Sequence, residues 1–402
     1  MTLSTSLGWP SEAEPTADHR RLGWLGRLGA VSRETTPGDV LADVAPMTPG
    51  APTAGSTEDD GATSTAVDNT GPDAAPGLPS EHESPTAGDG DKRVDSDSEV
   101  REAVASAIPS SGDDTPLARD LGDTTRRRIK LTGRRLPAPT APRVLTVSNQ
   151  KGGVGKTTTT VNIAAALAQS GLRVLVVDLD PQGNASTALG IDHHAEVPSI
   201  YDVLVDGAAL LDVVQPCATV PGLYCAPATI DLAGAEIELV SLVARESRLQ
   251  RALQTAVAAG HDFDYVLIDC PPSLGLLTVN AMVAASEVFI PIQCEYYALE
   301  GLSQLLKNIE LIRTHLNPTL HVSTILLTMY DGRTRLSAQV ADEVREHFPR
   351  EVLRTTVPRS VRVSEAPSFG ETVMTYDASS TGALAYLEAA GEIADRGAAG
   401  PQ

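Results

Sequence analysis

Residues 148–160 read SNQKGGVGKTTTT, and this stretch restricts the fold more than any other part of the chain. The apolar run Arg143–Val147 precedes it and predicts a short strand, and the residues after it carry apolar side chains at helical spacing. Glycines between a strand and a helix let backbone N–H groups turn inward around phosphates, and the helix N-terminus adds positive potential. The sequence therefore predicts a phosphate-binding loop within an α/β fold.

The end of this loop carries the side chains that a nucleoside triphosphate requires. Lys156 is expected to reach the β- and γ-phosphates, and the Thr157 hydroxyl is expected to ligate Mg²⁺. Thr158 is expected to make a further phosphate contact. The predicted nucleotide-binding residues of the loop are Gly152, Gly153, Val154, Gly155, Lys156, Thr157 and Thr158.

From residue 143 onward, apolar runs alternate with amphipathic segments. RVLVVDLD and YVLIDCPPS are continuous apolar runs, as expected of parallel strands that are buried on both faces. Residues 240–258 predict one long amphipathic helix. Strand–helix–strand order implies right-handed crossovers, so we predict that residues 141–397 form one α/β domain with a doubly wound, mostly parallel sheet of the P-loop NTPase type.

Residues 1–140 are rich in Pro, Gly, Ser, Thr and Asp and contain few aliphatic runs. Such a segment buries too little apolar surface to offset the loss of backbone entropy, so we predict a long disordered N-terminal tail. A Trp/Arg segment at 20–33 predicts either a short binding motif or a weakly structured stretch. The basic segment RRRIKLTGRR, at 126–135, predicts either a solvated linker or an additional nucleic-acid contact.

Three carboxylates follow the two central apolar runs. Asp178 and Asp180 end the first run, and Asp269 ends the second. The carboxyl ends of the strands are where open α/β sheets hold their ligands, and buried carboxylates are unfavourable unless they bind water or metal. Any one of them could simply cap its strand, but three carboxylates at two strand ends beside a phosphate loop predict a ligand-binding edge that holds water or metal.

Composition excludes several classes of protein. The net charge is −21, divided into −9 for residues 1–140 and −12 for residues 141–402, which argues against general coating of nucleic acid. The four cysteines show no CxxC spacing, so we expect reduced thiols rather than a zinc ribbon or a disulfide framework. No apolar run reaches the length of a membrane span, and the N-terminus lacks a signal-peptide pattern.

The loop also departs from the general GxxxxGK[ST] pattern, because Gln150 occupies the first glycine position and Lys151 follows it. The form KGGVGKTT resembles the deviant Walker A box of the ParA/MinD ATPase superfamily. The resemblance implies that Lys151 acts in trans, reaching the phosphates of the nucleotide held by the other subunit of a sandwich dimer. A second cation there would lower the barrier to phosphoryl transfer.

The same resemblance assigns roles to the other site residues. VVDLDPQGN looks like the family's second acidic motif, in which Asp180 would activate the attacking water and Asp178 would support the Mg²⁺ shell. VLIDCPPS resembles a Walker B motif, whose Asp269 would hold the metal through water. The segment TVPRSVRVSEAPSFG is similar to the family's adenine pocket, with Pro358 and Arg359 packing on the base.

The similarity extends over residues 143–396 and is greatest to the chromosomal ParA (Soj) group. It implies an ATP-dependent dimer that binds nucleoid DNA without sequence preference and drives chromosome or plasmid partitioning, with a ParB-type partner stimulating slow hydrolysis. Seven of the 17 basic residues after position 140 lie between 333 and 362, and Arg333, Arg335 and Arg362 are the candidate DNA contacts. We expect a cytoplasmic, nucleoid-associated protein, whose tail either regulates dimerisation or recruits a polar scaffold.

Three other functions of the same fold were compared with this one. A MinD-like membrane-cycling ATPase would need a basic amphipathic C-terminal helix, but residues 381–402 carry three acids and one arginine. A nitrogenase-reductase-like protein would need cluster-ligating cysteines in a glycine-flanked setting, which Cys270 and Cys294 lack. A small-molecule synthetase would leave Lys151 without an evident role.

Overall fold

The computed structural model describes residues 101–104, 106, 116–260 and 262–399, with side chains from 122 onward in the continuous part. The Trp/Arg segment at 20–33 and most of the predicted tail lie outside the described residues.

Eight strands form one sheet in the order β3-β4-β2-β5-β1-β6-β7-β8, in which only the β3–β4 pair is antiparallel. The predicted doubly wound, mostly parallel sheet is therefore confirmed. The strands are β1 Arg143–Val147, β2 Val174–Asp178, β3 Gln215–Pro216, β4 Leu223–Ala226, β5 Tyr265–Asp269, β6 Glu287–Gln293, β7 His321–Tyr330 and β8 Val352–Pro358.

The described α-helices are numbered in chain order, with a π turn at Asp202–Asp206 and 3-10 turns at Arg245–Ser247 and Ala366–Phe369. The helices are α1 Pro116–Leu131, α2 Lys156–Gln169, α3 Asn184–Ala188, α4 Leu210–Val213, α5 Leu232–Leu239, α6 Arg248–Ala258, α7 Leu276–Ala284, α8 Ala298–His315, α9 Arg335–His347, α10 Val361–Glu365, α11 Val373–Tyr376 and α12 Thr381–Ala398.

Two hydrophobic cores lie on the two faces of the sheet. In β2, Val174 and Val176 pack into the core shared with α2 and α12, while Leu175 and Val177 pack into the core shared with α5 to α9. Successive side chains of a strand point to opposite faces, which explains why every residue of β2 and β5 is buried. The continuous apolar runs in the sequence arise from this two-sided burial.

The strand order brings the predicted site residues to one edge of the sheet. β5 lies between β1 and β2, and Asp269 is in register with Val147 on one side and Asp178 on the other. The loop after Val147 therefore begins beside two of the three carboxylates, at the carboxyl ends of adjacent parallel strands.

Composition predicted that the basic segment at 126–135 is a solvated linker or a nucleic-acid contact within a disordered tail. In the structure it is partly helical and contacts α12. Its residues up to Leu131 belong to helix α1, and the rest follow the helix. Arg127 pairs with Glu388 of α12 at 2.6 Å, and Arg134 pairs with Asp395 at 3.2 Å. Leu136 is buried in the core below α12. The described structure thus includes helix α1 and the buried Leu136 before residue 141.

The long helix predicted at 240–258 is shorter in the structure and begins at Arg248. Ala244 has φ 53°, in the left-handed region, and interrupts the helix between α5 and α6. The prediction was therefore wrong for residues 240–247.

Candidate nucleotide-binding site

The loop between β1 and α2 has the backbone of a phosphate cradle. Gly153 and Gly155 adopt φ 74° and 89°, which is unfavourable for residues with a side chain. Gly155 is the N-cap of α2 and provides no side-chain acceptor, so the first N–H groups of the helix remain available. These open donors and the helix dipole favour an anion at this position.

Two polar side chains that the sequence analysis did not single out hold this loop in place. Asn149 donates from Nδ2 to Pro291 O of β6 at 2.9 Å and accepts from Lys151 N at 3.0 Å. Thr328 of β7 donates its hydroxyl to Val154 O at 2.8 Å. Hydrogen bonds to β6 and from β7 thus hold the phosphate loop against the sheet.

Lys156 is buried within the cradle, with 7% of its surface exposed. Burial lowers the pKa of its ammonium group, and the nearby carboxylates of Asp269 and Asp180 oppose that change. A buried cation next to the helix N-terminus is suited to the charge of a terminal phosphate.

Asp269 is fully buried at the end of β5 and accepts two hydroxyl hydrogen bonds. Thr157 donates to Oδ2 at 2.7 Å, and Thr160 donates to Oδ1 at 3.0 Å. Burial, and next the charge of Asp178, raise the pKa of Asp269 to about 8. Full burial and a second carboxylate thus outweigh the two hydroxyl hydrogen bonds, and a bound cation would favour the charged form of Asp269.

Asp178 and Asp180 occupy different surroundings. Asp178 is fully buried, and its Oδ2 accepts from the backbone N of Ser186 at 2.9 Å and from its hydroxyl at 2.8 Å. Burial raises the pKa of Asp178 to about 6. Asp180 lies nearer the surface, and its Oδ1 accepts from Gln182 N at 3.1 Å. Asp178 thus anchors the loop after β2, while Asp180 is close enough to Lys156 for its charge to act on that lysine.

The residues present fit Mg²⁺ together with phosphate oxygens. The Thr157 hydroxyl and the carboxylates are hard oxygen ligands, and Asp269 is held beside Thr157. Within the described residues, no group of three or more His, Cys, Asp or Glu side chains is placed to hold a metal without other ligands. A Mg²⁺ site usually consists of one or two protein groups, with phosphates and water as the remaining ligands.

Lys151 lies outside the cradle. Its Nζ pairs with Glu295 Oε2 at 2.8 Å, and the two side chains are 34% and 47% exposed. Glu295 follows β6 in the chain and was not predicted as a site residue. The two lysines of the loop therefore have different surroundings, one buried among phosphate-binding groups and the other at the surface.

Pro358 and Arg359 lie at the same sheet edge as the cradle. Pro358 ends β8 and is in register with Tyr330, two residues beyond the Thr328 that holds the loop. Pro358 is half-buried and Arg359 is exposed. Their role at the adenine base remains a prediction.

The candidate DNA-binding arginines are exposed on the loops that follow β7 and β8. Arg333 and Arg335 lie at the start of α9, and no ion pair is found for them in the part of the chain that the structure describes. Arg362 of α10 pairs with Glu365 at 3.2 Å and with Asp377 at 3.6 Å. Since β7 and β8 are neighbours, the segments that carry the three side chains follow adjacent strands, but Arg362 is already paired with two acids.

Comparison with known proteins identifies the family. Residues 142–322 match a family model described as an AAA domain. The chain is 53% identical over 255 residues to the sporulation initiation inhibitor protein Soj of Bacillus subtilis, covering 63% of this chain and 99% of Soj. It is 53% identical over 254 residues to the chromosome partitioning protein ParA of Caulobacter vibrioides, covering 63% of this chain and 94% of ParA.

A solved structure is also similar to this chain. It is described as cobyrinic acid a,c-diamide synthase of Mycobacterium smegmatis with a bound ATP analogue and magnesium; the identity is 41% and the TM-score 0.53. The alignment covers 62% of this chain and 93% of that one. Because the chain spans nearly the whole of Soj and ParA at about half identity, it belongs to the Soj/ParA family of chromosome-partitioning P-loop ATPases, within the ParA/MinD superfamily.

Proposed function

We propose that this protein is an ATP-dependent dimer switch that binds DNA without sequence preference and drives DNA partitioning. In this proposal each subunit binds ATP and Mg²⁺, Lys151 completes the site of the other subunit, and the dimer binds nucleoid DNA. A ParB-type partner stimulates slow hydrolysis and so releases the DNA. The protein would then be cytoplasmic and associated with the nucleoid.

The observation that carries this proposal is the separation of the two loop lysines. Lys156 is buried in its own cradle, whereas Lys151 lies at the surface on Glu295. One lysine is enough for a phosphate loop, so the additional, half-buried one is available to a second subunit once it leaves Glu295. The relatives named as partitioning proteins support the same conclusion.

The chain's own residues supply most of what ATP hydrolysis requires. The N–H groups at the start of α2 and Lys156 would hold the phosphates, and the Thr157 hydroxyl and Asp269 would bind the metal, directly or through water. Bound Mg²⁺ would neutralise charge that develops on the phosphate oxygens. Asp180, whose charge acts on Lys156, would orient the attacking water, while Lys151 of the other subunit would add positive charge.

DNA binding would depend on exposed arginines rather than on net charge. Arg333 and Arg335 can meet phosphates directly, whereas Arg362 must first leave Glu365 and Asp377. Such contacts give affinity that falls with salt and does not depend on sequence. We therefore expect Arg333→Ala to weaken ATP-dependent DNA binding more than Arg362→Ala, with Arg251→Ala on α6 as the charge-matched control.

The structure does not favour the MinD-like alternative. The acids Glu388 and Asp395 of α12 pair with Arg127 and Arg134, and the apolar side of this helix is buried against α2. Helix α12 therefore has no free basic amphipathic face. In addition, none of the described helices is long and apolar enough to cross a bilayer.

The synthase named among the solved relatives provides a second comparison. A synthetase activity would not require an exposed lysine that reaches another subunit. We expect no stimulation of ATP hydrolysis by cobyrinic acid and an amide donor; marked stimulation would favour that activity over partitioning.

Co-sedimentation with DNA tests the proposed function. The full chain is mixed with nonspecific DNA in the presence of ATP, of ADP or of no nucleotide, and its sedimentation is compared with that of Lys151→Ala and Asp180→Ala. We expect the wild type to bind with ATP only, Lys151→Ala to lose binding, and Asp180→Ala to remain bound longer. Lys307→Ala, an exposed lysine of α8, is the control and should behave like the wild type. Equal DNA binding without nucleotide would contradict the proposal.

A further inference from the structure

The loop after β2 carries Asp180 and leads directly into the short helix α3. Gly183 N donates to Asp180 O at 2.9 Å, and Gln182 N donates to Asp180 Oδ1 at 3.1 Å. Gly183 is the N-cap of α3 and has φ 61°, in the left-handed region that favours glycine. The direction of the Asp180 side chain therefore depends on how the backbone at Gly183 is held.

A half-buried histidine from outside this loop, His193, packs on Gly183. A Cβ atom at position 183 would lie 2.8 Å from His193 Nδ1, 3.0 Å from its Cε1 and 3.3 Å from Ala228 O. The imidazole thus occupies the space that a side chain at position 183 would need. Gly183 is therefore held between the ring of His193 and the backbone that follows β4.

Hydrogen bonds connect the same ring to the loop. His193 Nε2 lies 3.0 Å from Thr187 Oγ1, and the Thr187 hydroxyl donates to Gly183 O at 3.0 Å. A hydroxyl has one proton, and because Gly183 O accepts it, His193 Nε2 must carry a proton and donate it to Thr187. Together with the bond from Gly183 N to Asp180 O, three successive contacts link His193 to the backbone of Asp180.

The fold holds the segment that carries His193 on both sides of that residue. Gln215 of β3 donates from Nε2 to Asp192 O at 3.0 Å. Val197 N donates to His194 O at 2.9 Å and closes a turn directly after His193. The ring is thus held over the Asp180 loop by contacts with other parts of the chain, whereas the neighbouring His194 is exposed.

We propose that His193 is a positioning residue for ATP hydrolysis, which keeps Asp180 in the direction that orients the attacking water. The inference rests on the proposed function, because it requires that Asp180 acts in hydrolysis. His193 acts on Asp180 through Thr187 and Gly183. A reacting water must be held closely, so a small displacement of the group that orients it slows the reaction.

The contacts of His193 should affect the rate of hydrolysis and leave the binding of ATP unchanged. The phosphate loop is held separately, by hydrogen bonds of Asn149 and Thr328. Lys156, which would bind the terminal phosphates, belongs to that loop and α2. Loss of the imidazole should therefore lower kcat without raising KM, whereas a general loss of folded protein would also lower the amount of bound nucleotide.

Phosphate release by the full chain, with Mg²⁺, ATP and nonspecific DNA, tests the proposal. We expect His193→Ala to lower kcat about three- to tenfold, the range for one hydrogen bond, with KM for ATP unchanged. His193→Gln should recover most of the rate, since its amide N–H can also donate to Thr187. His194→Ala is the matched control and should hydrolyse ATP like the wild type. The stoichiometry with which a slowly hydrolysed ATP analogue binds gives the folded fraction of each variant.

A second variant tests the path of the contact. Thr187→Val keeps the shape of the side chain and removes the hydroxyl that joins His193 to Gly183. It should lower kcat about as much as His193→Ala, and the double variant should be no slower than Thr187→Val alone, because both changes break the same connection. Additive losses in the double variant would contradict this path.

The outcomes separate the role of His193 from that of Asp180. A wild type that does not hydrolyse ATP, or Asp180→Ala that hydrolyses it equally fast, would overturn the role of Asp180 in the proposed function, and the proposal for His193 with it. If Asp180→Ala stops hydrolysis while His193→Ala keeps the kcat of the wild type, the proposal for His193 alone is wrong. Equal losses in His193→Ala and His193→Gln would also overturn it.

Discussion

Replacing Asp269 by Asn should stabilise the free protein at alkaline pH. Burial raises the pKa of this carboxyl from an ordinary value of 3.8 to about 8. A folded-state pKa above the unfolded value means that the stability associated with the protonated form is complete below pH 3.8 and is lost as the pH rises through about 8. Asn resembles the protonated carboxyl and does not titrate.

The size of the effect follows from linkage. Between pH 6 and pH 9 the unfolded carboxyl is already ionised, while the folded one loses its proton. For a folded pKa near 8, this lowers the free energy of unfolding of the wild type by about 3 kcal/mol over that range. The charge of Asp178 is the second cause of the raised pKa of Asp269, after burial.

Urea denaturation without nucleotide or Mg²⁺, followed by circular dichroism at pH 6, 7.5 and 9, measures this difference. The difference in unfolding free energy between Asp269→Asn and the wild type should grow by about 3 kcal/mol in favour of the variant. Asp342→Asn, at a side chain that is 80% exposed, is the control and should show no such trend. Parallel pH profiles for Asp269→Asn and the wild type would refute the reasoning. The variant should also lose the stabilisation that ATP with Mg²⁺ gives the wild type.

Three further changes test other contacts of the structure. Glu295→Gln removes the charge that holds Lys151. Because exposed ion pairs contribute about 0–1 kcal/mol, ATP-dependent dimerisation should strengthen up to about fivefold. Ultracentrifugation measures this, and weaker dimerisation would contradict the prediction. Gly152→Val adds a side chain where nothing lies within 4 Å, so the melting temperature should hardly change while dimerisation falls if the second copy approaches closely. Glu287→Ala leaves the largely buried Arg143 guanidinium without its carboxylate partner at 2.6 Å and should lower the free energy of unfolding in urea by about 3–5 kcal/mol. Arg143→Met together with Glu287→Leu should recover most of that loss, and a single-variant loss below about 1 kcal/mol would contradict the assignment.

The phosphate loop could be predicted from the sequence because all of its chemistry is contiguous. Strand, glycines, Lys156 and helix follow one another within a few residues, and local backbone preferences determine their arrangement. The parallel strands were also predictable, because burial on both faces leaves a continuous apolar run such as that of β2.

Local patterns were insufficient where long-range packing decides the structure. The basic segment at 126–135 is charged enough to suggest a linker, yet Arg127 is paired with a residue 261 positions away. Similarly, residues 240–247 have helical periodicity, but the turn at Ala244 separates them from α6 and leaves Val243 exposed. In both places tertiary contacts override the pattern of nearby residues.

The sequence by itself determined the presence of two lysines, one at the end of the loop and one five residues before it. Only the tertiary structure placed them, because strand order brings Asp269 to Thr157 and brings Glu295, 144 positions away, to Lys151. Chemistry encoded within one loop is fixed by the backbone over a few residues. The carboxylates that contact the side chains of the loop come from other strands, so they reach the loop only when the sheet has formed.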